Sequence, residues 1–135
     1  YSRLIIGWSM DQRMTETLVM NALKMALLKR EIEPDLLLHS DRGSQYASKN
    51  YQSLLKQNRI TCSMSRKGNC WDNAPMESFF RSLKTESIYH TSLTTRQEAK
   101  QIIFDYIEVF YNRQRRHSSL DYLSPIEYEK CIKQL

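Results

Sequence analysis

Leu36-Leu37-Leu38-His39-Ser40-Asp41-Arg42-Gly43-Ser44-Gln45-Tyr46 is the stretch on which the reading of this chain turns. The apolar run is short and lies between Pro34 and Gly43. It suits a strand over 36–39 buried on both faces, as in a parallel sheet covered by helices. Open α/β sheets bind ligands beyond the carboxyl ends of their strands, and Asp41 stands at that end. Gly43 permits a sharp turn directly after it. Side-chain alternation puts His39 and Asp41 on one face if the strand persists that far.

Thirty-five residues separate Asp41 from Glu77, which sits in Trp71-Asp72-Asn73-Ala74-Pro75-Met76-Glu77-Ser78-Phe79-Phe80-Arg81-Ser82-Leu83-Lys84. Pro75 fits the first turn of a helix, where its missing N–H costs little, and the helix is expected to run to about Ser87. Glu77, Arg81 and Lys84 form its polar stripe, and Met76, Phe79, Phe80 and Leu83 its apolar one. The helix dipole tolerates an acid so near the start. An Asp at a strand end and a Glu on a later helix are able to share a divalent metal. Metal-assisted phosphoryl transfer needs such a pair and a third acid, which is not evident here. Each residue also has a plainer reading. Asp41 could form a turn, and Glu77 could pair with Arg81 at i, i+4. Trp71 could staple against Met76 with Asp72 as cap, or stack on a base. His39 reads as a polar residue satisfied near a site.

Outward from these stretches the pattern is strand, helix, strand, helix, strand. Residues 3–10 read as an apolar strand. Leu18, Val19, Ala22, Leu23, Ala26 and Leu27 have helical spacing, with Thr15 or Thr17 as cap and Lys29-Arg30 at the end. Pro34 breaks that helix. Residues 48–58 form a helix with Ser48 as cap and Tyr51, Leu54 and Leu55 inward. Ile60, Cys62 and Met64 alternate with Thr61, Ser63 and Ser65 as a strand with one polar side. A long helix over about 95–112 turns Ile102, Ile103, Tyr106, Ile107 and Phe110 to the core. The basic segment Arg113-Gln114-Arg115-Arg116-His117 follows, and Ser124-Pro125 opens a last short helix. This is an α/β order with parallel crossovers. Three strands make a thin sheet for so much helical apolar face, so further N-terminal strands are expected.

A chain of 135 residues suggests one domain with a real core. The net charge of +5 is compatible with a polyanion partner. The three cysteines show no Cys-x-x-Cys spacing, which argues against a disulfide framework and fits a reducing cytoplasm. The histidines are scattered, against zinc. No apolar run approaches the ~20 residues of a membrane span. The chain begins with Tyr1 rather than Met, as a piece of a longer product would.

Together these stretches resemble a known family. Tyr1-Ser2-Arg3 through Ile6-Gly7-Trp8, His39 to Tyr46, Ser65 to Ala74, and Glu77-Ser78-Phe79-Phe80 match it in order. So do Tyr111-Asn112-Arg113, Arg116-His117 and Ser124-Pro125. The chain resembles the catalytic domain of bacterial insertion-sequence transposases of the IS-three type, in the retroviral-integrase superfamily. The resemblance implies a ribonuclease-H-like α/β fold lacking its first strands and followed by C-terminal helices. It implies a partial integrase-type core over 1–128 and a tail over 129–135. It implies DNA cleavage and strand transfer with two Mg²⁺ (or Mn²⁺) ions, Asp41 matching the second acid and Glu77 the third. The family's first Asp lies upstream of the stretch that matches Tyr1, and Asp11 does not replace it. A chain of these residues alone is therefore expected to be inactive. Phosphate contacts are expected from Arg42, Arg66, Lys67, Arg81, Lys84, Arg113, Arg115, Arg116 and His117. Multimeric assembly on DNA in the bacterial cytoplasm follows by resemblance only. The readings of other classes are a decayed remnant and a DNA-binding regulatory module. Intact Asp41 and Glu77 favour the transposase over the binding module.

Overall fold

The computed structural model describes residues 1–66 and 73–133. The expectations for Lys67, Cys70, Trp71 and Asp72 fall outside them. Two compact units are present, one of Ile6–Ala74 and one of Tyr1–Ile5 with Pro75–Leu135.

The first unit is α/β. Helix α1 (Glu16–Lys29) leads to strand β1 (Leu37–Ser40), helix α2 (Lys49–Gln57) and strand β2 (Thr61–Met64). The strands are parallel, in register from Leu37 opposite Thr61 to Ser40 opposite Met64. Parallel neighbours need a crossover, and α2 supplies it. Ser48 caps α2, its hydroxyl accepting the Tyr51 N–H at 3.3 Å. Val19 and Leu23 of α1 join Tyr51, Leu55 and Ile60 in one core cluster. Thr15 stands at the N-cap of α1, but its hydroxyl makes no capping bond.

Two expectations need correction. Residues 3–10 form no strand. Apolar content there reflects packing and not a ladder: no strand among the described residues pairs with them. Arg3 is in left-handed backbone at φ 60°, which interrupts any extended run. Nor is β1 buried on both faces, since Leu37 is 60% exposed. A two-stranded sheet covered on one side leaves the alternate side chains in water.

The second unit is helical. Helix α3 (Ala74–Glu86) buries Phe79 and Leu83. A 3₁₀ turn (Ile88–His90) follows, then α4 (Arg96–Phe104), a π-helical segment (Asp105–Tyr111), a 3₁₀ turn (Ser118–Leu120) and α5 (Pro125–Lys133). A reciprocal capping box of Thr95 and Glu98 starts α4. Ser124 and Glu127 start α5 similarly, the Glu127 carboxylate accepting the Ser124 N–H at 2.9 Å. The expected uniform helix over 95–112 is thus α-helical only to Phe104. The i→i+5 turn shifts the faces after that point. Tyr106, Ile107 and Tyr111 are buried, whereas Phe110, expected inward, is 40% exposed. The Phe79 and Tyr111 rings meet edge-to-face at 5.1 Å.

Tyr1–Ile5 belongs to this helical unit. The Asn112 side chain, nearly fully buried, holds Ile5 from both sides. Its Oδ1 accepts the Ile5 N–H at 2.9 Å and its Nδ2 donates to the Ile5 carbonyl at 2.9 Å. A single amide side chain thereby satisfies the two backbone groups that a neighbouring strand would have paired.

Candidate functional site

Asp41 follows β1 directly and is exposed. Its Oδ1 accepts the Gly43 N–H at 2.7 Å, which closes the turn. The turn is thus made by the Asp41 side chain, while Gly43 stays outside the left-handed region and the space beside it is taken by the Gln45 amide. The other carboxylate oxygen has no partner among the described residues.

A polar cluster fixes the backbone beside Asp41. Ser65 is buried, its N–H donating to the Ser40 carbonyl at 2.8 Å. The Ser65 hydroxyl lies 2.8 Å from Asn73 Oδ1 and 3.1 Å from His39 Nε2. His39 Nδ1 lies 3.1 Å from the Ser63 hydroxyl. Arg42 Nε donates to the Ser65 carbonyl at 2.7 Å. His39 is therefore occupied on both nitrogens by hydroxyls and braces the strand ends. The sequence signals for this cluster are His39, read as a polar residue satisfied near a site, and the period-2 serines 63 and 65 on the polar side of their strand.

Glu77 lies in the first turn of α3 and is exposed. Neither Glu77 nor Asp41 is in an ion pair among the described residues, so the helix-surface pairing of Glu77 with Arg81 is not made. Glu77 borders a shallow depression of about 420 Å³ that is also lined by Phe80, Arg81, Lys84, Thr85 and Tyr89. Phe80 and Met76, expected on the apolar stripe, are about half exposed. Asp41 belongs to the first unit and Glu77 to the second.

The basic segment after the π-helical turn divides by role. Arg113 and Arg116 are exposed, and Arg113 Nε donates to the Glu108 carbonyl at 3.0 Å. Arg115 and His117, expected at phosphates, are otherwise engaged. Arg115 grips Glu86 through Nη2–Oε1 at 2.6 Å and Nε–Oε2 at 2.7 Å. His117 is buried, with its ring 5.0 Å from that of Tyr111. Burial, then the nearby Arg115 and Arg3 charges, push the His117 pKa down, so the ring is neutral near neutral pH. The hydrogen bonds from Arg115 hold Glu86 below the usual carboxylate range.

A hard cation such as Mg²⁺ asks for oxygen donors. Asp41 and Glu77 each offer an exposed carboxylate with no cationic partner among the described residues. No group of three His, Cys, Asp or Glu side chains able to hold a metal occurs among the described residues. No helix among them is long and apolar enough to cross a membrane.

A family profile described as "Integrase core domain" matches residues 1–70, and a second of the same description matches residues 77–131. The transposase for insertion sequence element IS904 of Lactococcus lactis is 52% identical over 96% of this chain and 51% of its own length. Transposase InsF for insertion sequence IS3A of Escherichia coli K12 is 48% identical over 96% of this chain and 45% of its own. An insertion element IS600 31 kDa protein of Shigella sonnei is 47% identical over all of this chain and 50% of its own length. The chain spans about half the length of these curated relatives.

Proposed function

The chain belongs to the integrase core domain family, and from that premise we propose that it serves in the transposition of an insertion sequence, cleaving and joining DNA on a ribonuclease-H-like framework. The observation that supports this best is the state of the two acids. Asp41 at a strand end and Glu77 in a helix's first turn are both exposed and both free of ion pairs among the described residues. A carboxylate kept to tie one element to another would be expected to sit in an ion pair, as Glu86 does, whereas the one bond Asp41 makes is within its own turn.

Asp41 and Glu77 would hold a divalent cation, Mg²⁺ or Mn²⁺. When bound, such a cation supplies Lewis acidity for displacement at a phosphodiester. The chain's own residues do the rest. The Gly43 N–H orients one Asp41 oxygen and leaves the other outward. Ser65 and His39 brace the strand ends from which Asp41 projects. Arg42, Arg66, Lys67, Arg81, Lys84, Arg113 and Arg116 are proposed to neutralise DNA phosphates, which steers the strand and fixes its register. Arg115 and His117 are left out of this proposal because the first is paired with Glu86 and the second is buried.

The test is Mg²⁺-dependent nicking and joining of labelled element ends by the gene product that carries this chain. Asp41→Asn and Glu77→Gln are each expected to abolish both steps, as is chelation of the metal. Undiminished joining by both variants would overturn the reading. A polypeptide of these 135 residues alone supplies two of the family's three acids and is expected to be inert. Strand transfer by it would show that the third acid is dispensable.

A further inference from the structure

The depression beside Glu77 has a lining that acid chemistry alone does not call for. Tyr89 is 70% exposed and Phe80 49%. Both rings line it together with Arg81 and Lys84, and neither cation has a partner among the described residues. Tyr89 is presented by a closed turn: the His90 N–H donates to the Ser87 carbonyl at 3.3 Å, and the Thr91 hydroxyl donates to the same carbonyl at 3.0 Å. The ring is thus offered to solvent on a fixed support.

Aromatic rings beside cations form the composition that binds single-stranded nucleic acid: rings stack on bases while cations meet the backbone. Bases within a duplex are already stacked and offer no free face. We propose that this depression seats an unpaired nucleotide at a DNA end, its base stacked on Tyr89 and Phe80 and its phosphate met by Arg81 and Lys84. The proposal rests on the reading of the chain as a DNA-joining core. Glu77 on the same rim opposes a phosphate unless a cation lies between them. Nucleotide binding should therefore strengthen with Mg²⁺, and Glu77→Gln should weaken that dependence.

The test uses the whole chain and a duplex with a single-stranded 3′ overhang carrying 2-aminopurine, whose fluorescence falls on stacking. The parent chain should quench the probe. Tyr89→Leu, at a well-exposed position where folding is not at stake, should remove the quench and weaken overhang binding roughly tenfold. Tyr89→Phe should retain both, and blunt duplex should bind all three chains alike. A quench that survives Tyr89→Leu overturns the proposal. So does an equal loss of blunt-duplex binding, which would mark a site for duplex backbone. Failure of the catalytic reading looks different: joining by the gene product would be indifferent to Asp41→Asn, while the Tyr89-dependent quench stayed.

Discussion

Arg115 closes on Glu86 with two prongs, Nε 2.7 Å from Oε2 and Nη2 2.6 Å from Oε1. The Tyr106 hydroxyl donates to the same carboxylate at 2.6 Å, and the guanidinium carbon lies 5.8 Å from the centre of the Tyr111 ring. The last residue of α3 is thereby tied to the chain beyond the π-helical turn. A fork-to-fork pair of this kind is directional as well as electrostatic. It commits Nε and Nη2 of Arg115 to Glu86, so those two donors do not face a phosphate.

Stability should decline in two stages as pH falls. His117 has a folded pKa below its ordinary 6.5, so the unfolded chain binds a proton first and stability starts to drop as pH falls through that value. Glu86 has a folded pKa below its ordinary 4.5. Its contribution is complete above that value and is lost as pH falls through the depressed one. Urea denaturation across this range checks both. Arg115→Ala should cost about 2 kcal/mol at neutral pH, a figure already reduced because both side chains are partly exposed. It should also flatten the lower stage. An acid limb identical to the parent's would refute the role given to Glu86.

Asn112→Ala should destabilise by about 2–3 kcal/mol, because it strands both the Ile5 N–H and the Ile5 carbonyl. Asn112→Asp keeps an acceptor, loses the donor and buries a charge, so it should do no better. Hydrogen exchange at the Ile5 amide gives a local reading, and unchanged protection in the alanine variant would count against the clamp.

These two contacts also show what the sequence could and could not disclose. Elements governed by local chemistry were legible. Ser48 as a cap, Pro75 in a first turn, and the parallel pairing implied by a strand, a crossover helix and a second strand all depend on near neighbours. The positions of Asp41 and Glu77 at a strand end and a helix start were legible for the same reason. Arg115 and Glu86 lie 29 residues apart, and Asn112 and Ile5 lie 107 apart. No periodicity records such meetings. The basic run 113–117 therefore read as one surface, although Arg115 is turned to Glu86 and His117 is buried. The strand expected over 3–10 failed likewise, since a strand exists only through its neighbour.

Gly7→Ala should be among the costliest small substitutions in the first unit. A Cβ there would stand 2.2 Å from the Ala22 carbonyl oxygen and 2.9 Å from the Ala26 nitrogen, both backbone atoms of α1. Backbone cannot rotate away as a side chain would, so the segment must lift from the helix. A loss of about 2–3 kcal/mol is expected by analogy with other overpacked sites, read as an earlier denaturation midpoint with unchanged slope. Parent-like stability would mean the segment is not seated on α1.

Arg113→Ala and Arg116→Ala should each weaken DNA binding without regard to sequence and reduce the slope of log affinity against log salt by about 1. His117→Gln should leave that slope alone, because a buried neutral ring releases no counterion. Titrations at several salt concentrations decide the matter. Equal slopes for parent, Arg113→Ala and Arg116→Ala would remove both from the interface.

The wide turn over Asp105–Tyr111 bears on how this chain should be aligned with its kin. A turn closed by i→i+5 bonds takes in one residue more than an α-turn. A homologue whose helix is regular throughout would need one residue fewer between Tyr106 and Asn112 to keep Tyr106 beside Glu86 and Asn112 against Ile5. A single gap at this point in an alignment would then record a change of helical pitch and not the loss of a contact. Substitutions tallied column by column across it would be counted against the wrong face of the helix.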